Sequence, residues 1–334
     1  MSNLIKKIQY LYGLENITLN RLNEGYVGEN HTLHSSRDKY FFKQLLARSS
    51  FDETRIKEIC SVYDLMKSHN LTIETPILNN SGFAYSFIED NFCMLFKMVE
   101  GVKFENLEPG NINNAFKSSA ESLAKIHKVG SRLPLLDIKK SSERHIKDNF
   151  LRKLNEIEEI ICSKTKLEEI DELSLDLIKW KRLLFNKGLS IIPEDKKTMI
   201  IHGDYHRENL LFDQDGSVKR IFDWDNSVIS SNSWEVVYAM MKVCFYDSFD
   251  NYQSQIAGDF LINYSNIFPF SKQDLRDGFN YWSTSECLFL WSLRSHYLNN
   301  DNKSDRFITN SAAKLKFLNE NLEDILSELN KFLF

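Results

Sequence analysis

The sequence predicts an α+β fold, in which an N-terminal antiparallel sheet of five strands with one main helix is followed by a mostly helical part. In the first 98 residues, apolar residues fall largely into short strand-like runs bounded by glycine and polar turns, whereas the later part repeats leucine and isoleucine at three- and four-residue spacing. A chain of 334 residues with 42% apolar residues can bury one large core or two connected cores. We therefore expect two domains, residues 1–98 and residues 99–334.

The N-terminal elements are a short helix, strand-like segments and a longer helix. Residues 4–12 have apolar positions at helical spacing and end at Gly13. An amphipathic helix over residues 51–69 has Ser50 or Asp52 as its candidate N-cap. The strand-like segments, from which we expect the five-stranded sheet, are residues 18–22, 30–34, 39–45, 73–78, 83–88 and 92–96.

The C-terminal elements are helices around one hairpin. Between Ile200 and Ile221 the pattern is briefly that of strands, and the turn at 213–216 has the glycine and aspartates typical of a hairpin. The predicted helices are residues 112–129, 141–161, 167–186, 233–246, 253–264, 271–298 and 310–334.

Composition and charge argue against several classes of protein. The net charge is -5, with 42 basic and 47 acidic residues spread along the chain, so we expect no binding of nucleic acid. Five cysteines without a C-x-x-C pair argue against a disulfide framework and a zinc site, and indicate a cytoplasmic protein. No apolar run approaches the ~18 residues of a membrane span, and the N-terminus lacks an apolar signal core. We expect a soluble monomer or homodimer without membrane contact.

Three oxygen-bearing side chains stand out in the hairpin region. Asp204 and Asn209 leave the same short loop, and Asp223 ends the next predicted strand. Phosphoryl transfer needs a carboxylate at the acceptor hydroxyl, metal ions that neutralise phosphate oxygens and a lysine for the remaining phosphates. Carboxylate and amide oxygens are hard donors that suit Mg²⁺, with Asp223 as the principal ligand. The pattern therefore indicates Mg²⁺-dependent phosphoryl transfer.

Two segments, HGDYHRENLLF at residues 202–212 and IFDWD at residues 221–225, resemble the signature of the aminoglycoside phosphotransferase and choline kinase family. That signature reads H-G-D-x-H-x-x-N-[LIV]-L-[FV] with a later D-[FW]-[DE], and this sequence agrees with it at every specified position. Because the family is related to the protein kinases, the resemblance implies a bilobal protein-kinase-like fold. Residues 1–98 would form a nucleotide-binding N-lobe, and residues 99–334 would form a helical C-lobe with the catalytic loop and an acceptor-binding subdomain.

For the catalytic loop, the resemblance implies roles for four residues. Asp204 is similar to the catalytic base, and His202 is similar to the residue that braces the loop. Asn209 and Asp223 match the metal ligands, which would hold Mg²⁺. Asp225, the last residue of the D-W-D segment, either assists the metal or caps the following turn.

For the N-lobe, the resemblance implies a lysine with a carboxylate partner. Lys43 matches the lysine that binds phosphates from the third strand, and Glu58 in the following helix is the best match for its partner, with Glu53 as runner-up. The competing interpretations are a solvated Lys43 and a surface ion pair between Glu58 and Arg55 or Lys57.

The segment over residues 24–30 resembles the nucleotide loop of the family, although a glutamate replaces the first glycine of the usual pattern and the spacing is longer. Its candidate nucleotide contacts are Gly25, Gly28 and Asn30. Phe96 and Met98 belong to the hinge, whose backbone groups would bind adenine.

Two other patterns have competing interpretations. His202 and His206 have the spacing of a zinc pair, but Asp204 lies between them and no glutamate follows His202. A set of aromatic residues near the C-terminus fits either a core or a cage for a cationic acceptor. Its members are Trp282, Phe289, Trp291 and Tyr297.

We therefore expect an ATP- and Mg²⁺-dependent enzyme that transfers the γ-phosphoryl group of ATP to a hydroxyl group of a small molecule. The acceptor would be an amino alcohol, an amino sugar, a sugar or an aminoglycoside-like compound, because the catalytic motif does not distinguish among these. Two alternatives remain open: a serine/threonine protein kinase of the bacterial stress-response type, and a catalytically silent kinase-like binding protein.

Overall fold

The computed structural model describes residues 2–22, 28–36, 38–46, 52–132, 144–186, 198–246 and 249–333. The chain divides into two compact units. The first unit comprises Met1–Lys139, His202–Asp204 and Glu208–Ile229, and the second comprises Lys140–Ile201, Tyr205–Arg207 and Ser230–Phe334. The expected domain boundary between residues 98 and 99 stays a prediction.

The α-helices of the described residues are α1 (Ser2–Tyr12), α2 (Glu53–Ser68), α3 (Ile112–Gly130), α4 (Arg144–Cys162), α5 (Glu169–Asn186), α6 (Asn232–Cys244), α7 (Ser254–Ser265), α8 (Lys272–Leu288), α9 (Trp291–Asn299) and α10 (Asp305–Leu329). The strands are β1 (Thr18–Leu22), β2 (Gly28–His34), β3 (Lys39–Leu46), β4 (Ser86–Ile88), β5 (Asn91–Lys97), β6 (Thr198–Ile201), β7 (Leu210–Phe212), β8 (Val218–Ile221) and β9 (Val228–Ser231). None of the helices in the described ranges combines the length and apolar character that a membrane crossing requires.

The first unit is built on a five-stranded sheet with the strand order β1-β2-β3-β5-β4. Every neighbouring pair in this sheet is antiparallel, and β3 lies in the middle, paired with β2 on one side and β5 on the other. A buried apolar cluster joins α1 to the sheet through side chains that include Ile8, Leu33, Phe42 and Leu95. Removal of this apolar surface from water stabilises the sheet and fixes which face β3 turns toward the core.

Helix α2 follows β3 along the chain and is capped as the sequence predicts. Asp52 Oδ1 accepts a hydrogen bond from Arg55 N at 2.8 Å, which satisfies one of the free N–H groups of the first turn. The buried face of the helix includes Ile59 and Tyr63. The opposite face is exposed, as expected for an amphipathic helix.

The predicted strand over residues 73–78 is wrong. The segment forms only isolated bridges, one between Ile73 and Ile221 and one between Pro76 and β5. Proline lacks the N–H donor that a ladder needs, so Pro76 interrupts regular pairing. The segment still runs beside β8, because Glu74 N donates to Ile221 O at 2.9 Å.

The predicted hairpin is present as β7 and β8, within the first unit. Its turn contains Gly216 at φ +85°, and a Cβ at this position would lie 2.4 Å from Asn111 O. Only glycine tolerates both the left-handed conformation and this close approach. The hairpin therefore packs tightly against the segment that leads into α3.

The second unit is mostly helical. Its buried apolar cluster draws side chains from α4, α5, α8, α9 and α10. The backbones of α6 and α8 approach closely at Gly278, where a Cβ would lie 2.3 Å from Ser233 O. A buried carboxylate, Asp171, accepts hydrogen bonds from Lys164 Nζ at 2.6 Å and from Tyr297 OH at 2.8 Å. This network links the start of α5 to α9.

The predicted helix over residues 271–298 is divided into α8 and α9. Lys181, a buried residue of α5, donates from Nζ to the carbonyl oxygens of Glu286 at 2.6 Å, Cys287 at 3.0 Å and Phe289 at 2.8 Å. Carbonyl groups at the end of a helix have no intrahelical partner. The lysine supplies one for three of them, so α8 ends and the chain turns before α9.

Replacing Lys181 by methionine should lower the free energy of unfolding by about 2–4 kcal/mol at pH 7, because three carbonyl groups at the end of α8 lose a charged donor. Burial lowers the pKa of Lys181 from 10.5 to about 8. At pH values between about 8 and 10.5, Lys181 is protonated in the unfolded state and largely neutral in the folded state, so the unfolded state binds one more proton. The stability of the wild type relative to the variant should therefore rise as the pH increases from 8 to about 10. Urea unfolding across this pH range measures both effects.

Lys179→Met is the matched control, because Lys179 is exposed on the same helix. We expect it to change the free energy of unfolding by less than about 0.5 kcal/mol at each pH. Equal losses in the two variants would contradict the capping role of Lys181.

Candidate functional site

His202 attaches the predicted catalytic loop to the end of β8. Its buried ring lies 2.8 Å from Phe222 O through Nε2 and 3.2 Å from Asp204 N through Nδ1. A carbonyl oxygen only accepts and an amide N–H only donates, so the proton is on Nε2 and Nδ1 is the acceptor. With both nitrogens bound to backbone groups, His202 has no lone pair to offer to zinc, and it holds the loop in place.

Gly203 makes the turn that leads into Asp204. Its φ is +85°, and a Cβ at this position would lie 2.1 Å from Asn226 O. Both the left-handed conformation and this contact require glycine. The loop therefore passes directly against the turn that follows Asp223.

Asp204 and Asn209 are joined across the loop. Asn209 Nδ2 donates to Asp204 O at 2.9 Å. The carbonyl of Asn209 accepts a hydrogen bond from Phe222 N at 2.9 Å, next to the paired strands β7 and β8. Asn209 and Asp223 consequently lie at the same end of the hairpin, as the sequence predicts for two ligands of one metal ion.

Lys43 lies between two carboxylates. Its Nζ is 2.8 Å from Asp223 Oδ1 and 2.6 Å from Asp225 Oδ2. The side chains of Lys43 and Asp225 are 12% and 11% exposed, whereas that of Asp223 is 41% exposed. The alternative of a solvated Lys43 is therefore wrong. Asp225 has a role that the sequence did not suggest, since it is an ion-pair partner of the lysine.

The three charges shift one another's protonation. Burial would lower the pKa of Lys43, but the carboxylates of Asp225 and Asp223 outweigh it and raise the pKa above its usual range. Burial would likewise raise the pKa of Asp223, but the Lys43 charge and hydrogen bond lower it below its usual value. For Asp225, burial dominates and the pKa is raised. Lys43 is therefore charged, and Asp223 is the more acidic of the two carboxyl groups.

The expected ion pair between Lys43 and Glu58 is not formed in the structure. Glu58 Oε2 instead accepts from Arg55 Nη1 at 3.0 Å, because three-residue spacing places these side chains on one face of α2. Glu53, the runner-up, pairs with Lys57 at 2.8 Å on the exposed surface. The two aspartates take the place of a glutamate as partners of Lys43.

Arg55 is a site residue that the sequence reasoning missed. Its Nη2 donates to Asp225 O at 2.7 Å and to Ser227 O at 2.6 Å. Glu58 thus orients an arginine that holds the backbone of the D-W-D segment. A basic residue in the first turn of a helix gives no sequence signal of such a contact.

Glu74 is a second missed residue. Its side chain is buried, and Oε1 accepts hydrogen bonds from Asp223 N and from Tyr63 OH, each at 2.8 Å. Burial raises the pKa of Glu74 to about 7, although the Lys43 charge and the two hydrogen bonds act to lower it. The available sequence signal was a carboxylate in a segment that the sequence predicts as a strand.

The structure describes part of the predicted nucleotide-binding segments. Gly25 lies outside the described residues, and Gly28 begins β2. Asn30 lies directly across from Lys43 in the register of β2 and β3. At the predicted hinge, Phe96 is buried in β5, whereas Met98 is exposed and its N–H donates to Lys39 O at 3.0 Å. The contacts of these residues with a nucleotide stay predictions.

The C-terminal aromatic residues are divided between core and surface. Trp282 and Tyr297 are buried. Phe289 and Trp291 are 52% and 36% exposed, and their ring centroids are 6.3 Å apart. The four residues therefore do not form one cage.

The donor set fits a magnesium ion that also binds phosphate. Asp223 presents a partly exposed carboxylate, and the amide oxygen of Asn209 is the atom of its side chain that a cation would use. Among the described residues, no group of three or more His, Cys, Asp or Glu side chains is arranged to hold a metal ion alone. Mg²⁺ commonly binds through one or two carboxylates together with water and substrate phosphates.

Comparison with known proteins places the chain in a family. Residues 33–270 match the sequence model of the phosphotransferase enzyme family. No curated protein sequence matches the chain.

Solved structures match it over nearly its whole length. A complex of amicoumacin kinase with AMP-PNP and Ca²⁺ has a TM-score of 0.68 and 15% identity, covering 97% of this chain and 93% of that chain. A spectinomycin phosphotransferase in complex with ADP has a TM-score of 0.68 and 16% identity, covering 96% and 98%. Choline kinase from Cryptosporidium parvum Iowa II has a TM-score of 0.62 and 13% identity, covering 99% of each chain.

At these identities the solved structures establish the fold. The predicted fold class, an α+β kinase-like fold with a five-stranded antiparallel sheet and a mostly helical remainder, is confirmed.

Gly203→Ala should lower the free energy of unfolding by at least about 2 kcal/mol more than Gly82→Ala. Both glycines have nearly the same φ, +85° and +83°, but a Cβ at Gly82 meets nothing within 4 Å. Gly82→Ala therefore reports the backbone strain alone, about 1–2 kcal/mol. The difference between the two variants in urea unfolding measures the energetic cost of the contact with Asn226. Equal losses of unfolding free energy would mean that the loop shifts to accommodate the extra methyl group and that this contact costs nothing.

Proposed function

We propose, since this chain belongs to the phosphotransferase enzyme family, that it transfers the γ-phosphoryl group of ATP to a hydroxyl group of a small molecule in a Mg²⁺-dependent reaction. Membership of the family confirms the predicted enzyme class, a phosphotransferase that acts on small molecules. The donor, the metal and the acceptor are our proposal. The observation that supports it best is the Lys43 ammonium beside the two carboxylates of the D-W-D segment.

The nucleotide side of the proposed reaction rests on Lys43, Asp223 and Asn209. A magnesium ion held by Asp223 and Asn209 would neutralise charge on the phosphate oxygens. Lys43 keeps its proton, and its ammonium binds the α- and β-phosphates. Because the phosphate oxygens and the two aspartates compete for the same ammonium group, we expect Lys43 to exchange part of its carboxylate contact for phosphate oxygens.

The acceptor side rests on Asp204. Its carboxylate orients the acceptor hydroxyl and accepts its proton as the phosphoryl group is transferred directly, without a phosphoenzyme. The neutral ring of His202 and the amide of Asn209 hold the backbone of Asp204 from both sides. The loop therefore needs little rearrangement before transfer.

We propose an amino alcohol, an amino sugar, a sugar or an aminoglycoside-like compound as the acceptor. Structural neighbours are named as kinases or phosphotransferases of amicoumacin, spectinomycin, aminopropanol and choline. All five cysteines are free, which supports a cytoplasmic location. The state of assembly that we propose is a monomer or a homodimer, without nucleic acid or membrane partners.

Asp204→Asn should reduce kcat about 10²–10⁴-fold, because the amide cannot accept the hydroxyl proton. Binding of Mg²⁺ and a non-hydrolysable ATP analogue should stay within about threefold of the wild type. An assay of ATP consumption over a panel of small alcohols, combined with calorimetric titration of the analogue, measures both quantities.

Asp64→Asn, on an exposed position of α2, is the matched control and should retain wild-type turnover. Turnover that survives in Asp204→Asn would remove Asp204 from the mechanism. If the wild type phosphorylates serine or threonine residues of a protein but no small alcohol, the acceptor class proposed here is wrong.

Asp223→Asn should abolish most of the gain in nucleotide affinity that Mg²⁺ provides, because the neutral amide is a poorer ligand for a hard cation. Nucleotide binding in the presence of EDTA should change much less. Titration of ADP with and without Mg²⁺ tests this, and an unchanged Mg²⁺ effect would exclude Asp223 as the principal ligand.

A further inference from the structure

We propose that Glu74 is a positioning residue, which fixes the backbone of Asp223 so that the Asp223 carboxylate is held ready for the metal. This inference rests on the proposed function, because it assigns Asp223 to metal binding. Glu74 has no place in the catalytic motifs, and the role that we propose for it is exerted through its contact with Asp223.

The contact is direct and buried. Glu74 is 8% exposed, and its Oε1 accepts the N–H of Asp223 at 2.8 Å. The same oxygen accepts the hydroxyl of Tyr63 at 2.8 Å, and Tyr63 is 1% exposed. A buried carboxylate is costly unless its oxygens are hydrogen-bonded, so these two donors determine where the side chain points.

The backbone of Asp223 needs such a partner. Asp223 has φ 61° and ψ 65°, the left-handed conformation that a non-glycine residue adopts only at a cost. Its N–H faces Glu74 and not a strand partner. Removal of the carboxylate would leave this N–H unpaired and would release the conformation that orients the Asp223 side chain.

Glu74 is itself anchored beside the strand that leads to Asp223. Glu74 N donates to Ile221 O at 2.9 Å, and Ile221 N donates to Thr72 O at 2.9 Å. Arg220 Nη1 also donates to Ile73 O at 2.6 Å. Residues 72–74 are therefore bound to the end of β8, and this attachment holds Glu74 in a defined position relative to Asp223.

Three variants separate this role from a general effect on folding. Glu74→Ala removes the acceptor, Glu74→Gln keeps an acceptor oxygen but removes the charge, and Tyr63→Phe removes only the second hydrogen bond. Titration of ADP into each protein, with Mg²⁺ and with EDTA, measures the gain in affinity that the metal provides.

We expect Glu74→Ala to reduce the Mg²⁺-dependent gain about tenfold, the scale of one hydrogen bond to a charged group, with little change in EDTA. Glu74→Gln should recover most of the gain, and Tyr63→Phe should stay close to the wild type. In hydrogen–deuterium exchange without any ligand, the peptide containing Asp223 should exchange faster in Glu74→Ala than in the wild type and Glu74→Gln.

A Glu74→Ala protein that keeps the full Mg²⁺-dependent gain overturns the inference, and so does equal loss in Glu74→Ala and Glu74→Gln. If Glu74→Ala does not fold, the exchange and binding of Glu74→Gln decide: wild-type behaviour supports the inference, and fast exchange at Asp223 refutes it. A wild type without any gain from Mg²⁺ refutes the proposed function and this inference together, whereas a normal wild type with an unaffected Glu74→Ala refutes only the inference.

Discussion

The candidate site depends on one interaction, the Lys43 ammonium held between the carboxylates of Asp223 and Asp225. Buried charges are tolerated in proteins only when they are paired and hydrogen-bonded. Here one positive charge faces two negative ones, so this trio has an excess of negative charge beside the more exposed carboxylate. The excess favours a cation at the solvent side of Asp223, and a cation is what the proposed reaction requires.

The turn around Asp223 is held by backbone contacts from several directions. His202 binds the carbonyl before Asp223, Glu74 binds its N–H, and Arg55 binds two carbonyls after it. Each contact binds a different backbone group, so the others do not replace the hydrogen bond that Glu74 accepts from the Asp223 N–H. An unfavourable backbone conformation persists only where the surrounding structure holds it, and this turn is held by all of these contacts together.

Most helices and strands and the signature motif could be predicted from the sequence, because both depend on the spacing of residues that are close together in the chain. The hairpin brings Asn209 and Asp223 to one end, and the strand β3 brings Lys43 to Asp223, as the motifs suggested. The functions of these residues stay predictions. The prediction that Glu58 pairs with Lys43 was wrong, because Arg55 on the same helix binds Glu58 instead.

Contacts between residues that are far apart in the sequence could not be predicted from local patterns. Periodicity is continuous through residues 271–298, and the break comes from Lys181, which lies more than 100 positions earlier in the chain. Glu74 stands in a segment with the alternation of a strand, and nothing in that pattern shows that its side chain reaches Asp223. Contacts of this kind depend on how distant segments pack.

The central position of β3 also limits how this site can change. Lys43 and Phe42 point to opposite faces of the sheet, and Phe42 belongs to the core with α1. A slip of one residue would exchange the two, placing an ammonium in the apolar core and a phenyl ring beside the aspartates. Both neighbouring strands would have to slip with it, since β3 is paired on each side. Insertions within β3 are thus incompatible with the site, and variation in chain length is confined to the segments before and after the strand.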